Sequence, residues 1–294
     1  MRILTVSALT VSLLATGTAV AEARTVHAAV PQARFSAITV APGGFTAPAV
    51  VPQDATSFRV TTTDPDGAYI GLIGLREGVS LQRYLADLEQ AYDDTDREAA
   101  MAGSRAVERD AVMYGGAAVL PDVPVTFTPR LRPGTYYLID FKDVGSPGLA
   151  DKVRKLRVVG GHGAAAAPRA EAEIVQVQTV DGPRFRAPAQ LRAGAAVRVT
   201  NHSRQFNEAI FMPVPEGTTR AQVGAFFAAV QGGPAAPYPF IGGPVGMVPL
   251  SPGRSTVISA ALRPGTYALV TWMTDYRTGR MHAAQGMHEI ITVK

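Results

Sequence analysis

The chain has 294 residues, 47% of them hydrophobic and 18% charged. That is enough apolar material for packed cores and a length of about two domains. It contains no cysteine, which excludes disulfides, zinc-thiolate sites, iron-sulfur clusters, cysteine nucleophiles and lipoprotein anchoring together. The formal charge of +4 is spread over the whole length and lysine is scarce (Lys142, Lys152, Lys155 and Lys294), so no dense basic patch forms and nucleic acid is not an expected partner.

The first segment reads as an address. Arg2 precedes the apolar stretches Ile3 to Val6 and Val11 to Ala15, and small residues follow at Ala19, Val20 and Ala21. This is the order of a secretory signal peptide. Residues 1–23 are the expected leader, cleaved after Ala21 or Ala23, which makes the product secreted, extracellular and free of membrane insertion after cleavage. Thr5, Ser7, Thr10, Ser12, Thr16 and Thr18 interrupt the run, and an uncleaved anchor needs about 20 predominantly apolar residues. Usage rich in Arg, Ala and Gly with few lysines suggests a bacterial source of high GC content.

Beyond the leader, segments of period-two alternation predict half-buried strands, beginning with Phe58-Arg59-Val60-Thr61. Asp64-Pro65-Asp66-Gly67 has the opening of a calcium loop without its ligand-rich continuation, and reads as a tight turn. Ser80 caps a predicted helix bearing Leu81, Tyr84, Leu85, Leu88 and Tyr92 at helical spacing. The acidic stretch from Asp93 through Asp94, Asp96 and Glu98, continuing to Asp110, is expected as a solvated loop or second surface helix. After the small-residue stretch Gly160 to Arg169, alternation resumes at Val175 to Gln178 and Val197 to Thr200. A second helix, capped by Thr218 or Thr219, carries Val223, Phe226, Phe227 and Val230. Proline and glycine punctuate the strands throughout, as in an all-β sandwich or barrel.

The two halves repeat one another in order. Phe45-Thr46-Ala47-Pro48-Ala49 matches Phe185-Arg186-Ala187-Pro188-Ala189, and Phe58 to Thr61 matches Val197 to Thr200. Gly115-Gly116 is aligned with Gly242-Gly243, and Leu131-Arg132-Pro133-Gly134-Thr135-Tyr136 recurs identically as Leu262-Arg263-Pro264-Gly265-Thr266-Tyr267. Ordered matches of this kind point to duplication. The expected organisation is a first domain at 30–159, a linker at 160–170 and a second domain at 171–294, each folding by itself.

The second half resembles the closing half of a cupredoxin, the blue-copper fold. The residues that carry the resemblance are Leu262 to Val270, then Thr278-Gly279-Arg280-Met281-His282-Ala283-Ala284-Gln285-Gly286-Met287, with Pro215-Glu216-Gly217 and the helix after it. The first half shares it through the internal repeat. The resemblance implies an all-β fold of two cupredoxin-like Greek-key β-sandwich domains in tandem, each with a short helical insertion. It also implies copper ligands at four positions, where this chain has Asn207 for an early His, Thr271 for the Cys, and then His282 and Met287. In the first half Asp140 stands at the position of Thr271.

A type 1 copper centre depends on a thiolate, and none exists here. The family's electron-transfer chemistry is therefore not expected: the repeat reads as degenerate, with no metal and no cofactor. His282 and Met287 support an alternative, a weak copper-binding or copper-carrier protein, since imidazole and thioether suit Cu(I). Against it, His282 would cap a loop while Met287 packs with Ile291 and Val293. His288 points to the opposite face and His202 is solvated. Trp272 is expected to pack against the neighbouring domain. Lipase-type elbows, P-loops, dinucleotide fingerprints and metalloprotease helices are missing from the sequence. The function expected is that of a secreted, non-enzymatic binding or structural module for an unknown extracellular ligand or protein.

Overall fold

The alternating segments form strands in the computed structural model, which describes residues 35–160 and 167–294. The expected leader 1–23 and most of the expected linker 160–170 lie outside the described residues. The first half contributes β1 (Phe35–Ala41), β2 (Gly44–Thr46), β3 (Val50–Pro52), β4 (Asp54–Ala55), β5 (Ser57–Thr62), β6 (Ala68–Leu75), β7 (Ala111–Val119), β8 (Val125–Leu131), β9 (Gly134–Asp140) and β10 (Arg154–Val159). Its helices are α1 (Leu81–Ala91), α2 (Arg97–Asp110) and the short α3 (Leu149–Lys152). The second half contributes β11 (Ala172–Thr179), β12 (Gly182–Arg186), β13 (Gln190–Leu191), β14 (Val197–His202), β15 (Asn207–Pro213), β16 (Val245–Leu250), β17 (Ser255–Ala260), β18 (Gly265–Val270), β19 (Thr274–Asp275), β20 (Arg280–Met281) and β21 (His288–Val293), with helix α4 (Arg220–Val230). The fold is all-β: two sandwich-like halves in tandem, with helices inserted between β6 and β7 and between β15 and β16.

The sandwiches are not separate in space. One sheet of nine strands runs β12-β11-β14-β17-β8-β5-β1-β2, with β4 also on β8, and a second of ten runs β13-β21-β18-β15-β16-β7-β6-β9-β10-β3. Each sheet crosses from one half to the other, through β17–β8 in the first and β16–β7 in the second. The expectation that each half is a self-contained fold is therefore replaced by one of shared sheets.

The matched segments occupy corresponding places. In each half the first strand pairs in parallel with the strand after the turn, Ile38 opposite Val60 and Ile174 opposite Val199. Tyr136 and Tyr267 each donate a hydroxyl hydrogen bond across the Pro-Gly turn, to Arg132 O at 3.0 Å and Arg263 O at 2.9 Å. At the junction Phe127 stands directly opposite Ile258, the residue that the Leu-Arg-Pro-Gly-Thr-Tyr alignment makes its counterpart. A local two-fold relation thus passes through this pair.

The two sheets differ in how they are covered. Along β5 and β14 buried residues alternate with more exposed ones, as in a sheet with one wet face. In the ten-stranded sheet β15 and β16 are buried almost throughout. Ala209, Phe211, Met247 and Leu250 face the core between the sheets, where Phe58 stacks on Phe127 with ring centroids 5.0 Å apart. Ile210, Met212 and Val248 face outward under the helices, with Leu88, Val107 and Phe227. Ser80 caps α1 by accepting from Arg83 N, and Thr219 caps α4 in a reciprocal capping box with Gln222. Of the two expectations for the stretch after Asp93, the second helix is found: Asp96 caps α2, which packs on α1 and buries Ala106 and Val107, so that it is not merely solvated.

The glycine alignment is also corrected. Gly116 pairs with Gly71 in the first half, and the matching pairing in the second places Gly246, not Gly242 or Gly243, opposite Ile210. Both have positive φ, +155° and +147°. A Cβ on Gly116 would lie 2.0 Å from Ile70 O, and one on Gly246 would lie 2.3 Å from Ala209 O. Backbone on the adjacent strand leaves no room there. Gly116→Ala and Gly246→Ala should each lower unfolding free energy by about 3 kcal/mol or more in chemical denaturation. Gly145→Ala, where φ is +81° and no atom lies within 4 Å, should cost only about 1 kcal/mol; equal losses at all three positions would show that close approach is not what these strands require.

Candidate functional site

The four positions implied by the resemblance are buried: Asn207, Thr271 and Met287 at 0% exposure and His282 at 3%. Asn207 begins β15, and Thr271 follows β18 on the same inward face. Thr271 Oγ1 donates to Asn207 Oδ1 at 3.1 Å, and Asn207 Nδ2 donates to Ser203 Oγ at 3.2 Å. Ser203 Oγ in turn bonds Asn201 Oδ1 at 2.6 Å, while Asn201 Nδ2 donates to the carbonyls of Gln205 and Leu250. Donor atoms that could face a metal are spent on one another. With a hydroxyl and an amide in place of thiolate and imidazole, these residues do not fit a type 1 copper centre.

His282 departs from the expected loop cap: its ring is buried and neither ring nitrogen has a hydrogen-bond partner. Its pKa is pushed down to about 4, mainly by burial, with Asp275 opposing and Arg277 adding to the shift. Met287 packs in the inter-sheet core with Ile291 and Val293. His288 lies on the other face, its Nδ1 2.9 Å from Ala283 O and its ring 6.5 Å from that of Phe227. His202 is exposed. In the first half Asp140 Oδ1 accepts from Tyr69 N at 3.0 Å and Lys142 N at 3.1 Å, a structural cap. Asp64 accepts from Asp66 N at 2.9 Å in a turn closed by Gly67. Among the described residues, no three His, Asp or Glu side chains converge as metal ligands.

The prominent concavity lies on the opposite side of the ten-stranded sheet. It is a cleft of about 1500 Å³, floored by outward residues of β6, β7, β15 and β16, including Tyr69, Met113, Ile210, Met212 and Val248. Helices α1 and α2 of the first half form one wall; the end of α4, Tyr238 and the loop from Trp272 to Arg280 form the other. Trp272 does not pack against the neighbouring half as expected. It joins an aromatic group of its own half, 5.1 Å from Phe227 and 6.0 Å from Phe240 between centroids, and lines the cleft. The loop is tied to α2: Arg105 donates to Tyr276 O at 2.7 Å, Arg97 donates to Thr278 O at 2.8 Å, and the Tyr276 hydroxyl bonds Glu108.

One ionisable group stands on the cleft floor. Glu208 follows Asn207 on β15 and so points outward in the row of Ile210 and Met212. Its side chain is 7% exposed; Oε1 accepts from Trp272 N at 2.6 Å. Burial raises its pKa to about 7, and the Trp272 bond opposes the shift only in part. Tyr69 is raised too, by burial first and then by the charges of Glu208 and Asp140. Sequence reasoning passed over Glu208 because it read Phe206 to Ile210 for a copper ligand. The available signal was a single carboxylate immediately before Ala209-Ile210-Phe211-Met212, a run too apolar for a strand with one wet face.

No family model matches the chain and no curated protein matches it. Several solved structures are similar. A copper nitrite reductase from Nitrosomonas europaea is 11% identical, covers 88% of this chain and 94% of its own, and has a TM-score of 0.25. A reduced auracyanin from Roseiflexus castenholzii is 22% identical over 43% of this chain and 99% of its own, at a TM-score of 0.25. The multicopper oxidase mgLAC is 12% identical over 88% and 85%, at 0.23. The copper named for the nitrite reductase and the oxidase is theirs, and the chemistry of this chain rests on its own residues.

Glu208 and His282 bias stability in opposite directions with pH. Glu208, raised to about 7 in the fold, favours folding below its unfolded pKa of about 4.3 and loses that contribution as pH rises through 7. His282, lowered to about 4, favours folding above its unfolded pKa of about 6.5 and loses that contribution as pH falls toward 4. Each effect is about 3 kcal/mol, and between about pH 4.5 and 6.5 they oppose. Relative to the parent chain, Glu208→Gln should become more stable as pH rises through this window and His282→Gln less stable. Parallel pH profiles for both variants in urea unfolding would refute the assignment.

Proposed function

We propose that this chain is a secreted, non-enzymatic binding module whose site is the cleft on the outer face of the ten-stranded sheet. What carries the reading is the cleft itself: about 1500 Å³ of apolar and aromatic lining around one buried carboxyl, where sheet residues from both halves form a rigid floor. A large apolar pocket with few convergent polar groups is the usual form of a small-molecule site. Fold likeness assigns no chemistry to it. The walls supply no paired nucleophile and base, which favours binding over catalysis. Secretion is supported by the leader-like sequence, and among the described residues no helix is long and apolar enough to cross a membrane.

A second reading, weak binding of Cu(I) by His282 and Met287, draws on the unpartnered ring nitrogens of His282. A Cu(I) competition titration in which His282→Gln removes the bound metal would favour it.

The cleft reading is tested with phenylbutanol, a neutral probe with an apolar body. Trp272 is the sole tryptophan and lines the cleft, so its fluorescence should change saturably as the probe binds. Ala100→Phe, which places a ring on the α2 wall, should weaken binding at least tenfold, about 1.4 kcal/mol. Val180→Phe, at a fully exposed position outside the lining, should leave it unchanged. No saturable change, or equal binding by Ala100→Phe and the parent chain, would contradict the reading.

A further inference from the structure

The floor of the cleft holds an unbalanced group. Glu208 is nearly buried, and among the described residues the only hydrogen bond to its carboxyl group comes from the backbone N–H of Trp272 on Oε1. Among the described residues no Lys, Arg or His side chain forms a salt bridge with it. The cations that reach the lining are occupied or peripheral. Lys142 Nζ donates to Gly67 O at 2.9 Å and lies 3.4 Å from Asp64, Arg97 is bound to Thr278 O, and Arg280 is exposed. Asp93 and Asp94 also line the cleft and add negative charge to it. Tyr69, Tyr92, Tyr238 and Tyr276 are the remaining titratable groups of the lining. Burial without a countercharge disfavours the charged form of a carboxyl group, so a cation brought by the ligand would find an electrostatic reason to bind.

The surroundings define that partner. Tyr69, Phe141, Phe206 and Trp272 all line the cleft, and aromatic faces attract cations through the ring quadrupole. Among the described residues Oε2 of Glu208 accepts no hydrogen bond, which leaves it for an ammonium N–H. Resting on the cleft reading above, we propose that the site takes an organic ammonium cation with an apolar body, the ammonium on Glu208 and the body along Ile210, Met212 and Trp272. The cleft is larger than the roughly 300–1000 Å³ usual for drug-sized ligands, so it has room for an extended aromatic or alkyl body behind the charged head.

The experiment compares phenylbutylamine with phenylbutanol, which has the same body without the charge, at about pH 8, where the carboxyl is ionised. Both are titrated by calorimetry and by Trp272 fluorescence into the full chain, Glu208→Gln and Glu208→Met. The amine should bind at least tenfold tighter than the alcohol to the parent chain. Both variants should lose that preference while keeping the alcohol affinity; the methionine variant serves if the glutamine variant does not fold. Equal affinity of amine and alcohol, or a preference that survives in a folded variant, overturns the ammonium assignment and leaves the cleft reading standing. Binding of neither probe overturns both.

Discussion

The constraint on which everything else depends is that the two halves share their sheets. β8 and β17 are hydrogen-bonded neighbours, as are β7 and β16, so the strands that would be edges in an isolated sandwich are interior here. Open edges are a liability that proteins cover or pair, and pairing these four removes two edges from each half. The junction is packed as well as bonded. Phe127 and Ile258 face each other across it, Phe127 stacks on Phe58, and Met113 and Ser251 exchange hydrogen bonds at 2.9 and 3.0 Å. The cleft follows from this fusion, because its floor is made of β6 and β7 from one half and β15 and β16 from the other.

Much of the fold was legible because local rules and the global structure agree. Ser80 and Thr219 announced helices where α1 and α4 begin, and the Pro-Gly-Thr-Tyr segments form β9 and β18 with the same tyrosine hydrogen bond in each. Alternation marked β5 and β14 because one face of the nine-stranded sheet meets solvent. It could not mark the joining of the sheets, since a strand paired on both sides reads the same whichever half supplies the neighbour. The glycine register was misread for a related reason: Gly242 and Gly243 resemble Gly115 and Gly116 in spelling, while the close backbone approach that demands a glycine occurs at Gly246.

The site was less legible than the fold. Family resemblance drew the sequence reading to Asn207, Thr271, His282 and Met287, and the structure does bring the first two into contact, within a polar network that leaves them little to offer a ligand. One residue along β15 the chain points the other way, and there Glu208 meets the cleft. The acidic stretch that contains α2 looked like a solvated face because its charges dominate its composition; its buried apolar residues, Ala106 and Val107, decide its position. Charge in an apolar strand and apolarity in a charged helix are the two local inconsistencies that mark the site, and both are places where function would be expected to override the local pattern.

Native-state amide hydrogen exchange measures directly whether the two halves are one cooperative structure. The amides in the β8–β17 ladder, among them Phe127 and Ile258, and the amide of Ser251, which donates to Met113 O, should exchange only through global unfolding, with the same free energy as the most protected amides of β5 and β14. If the junction amides exchange through a separate opening of much lower free energy, while the interior of each half stays protected, the halves are independent domains in contact and the shared-sheet account is contradicted.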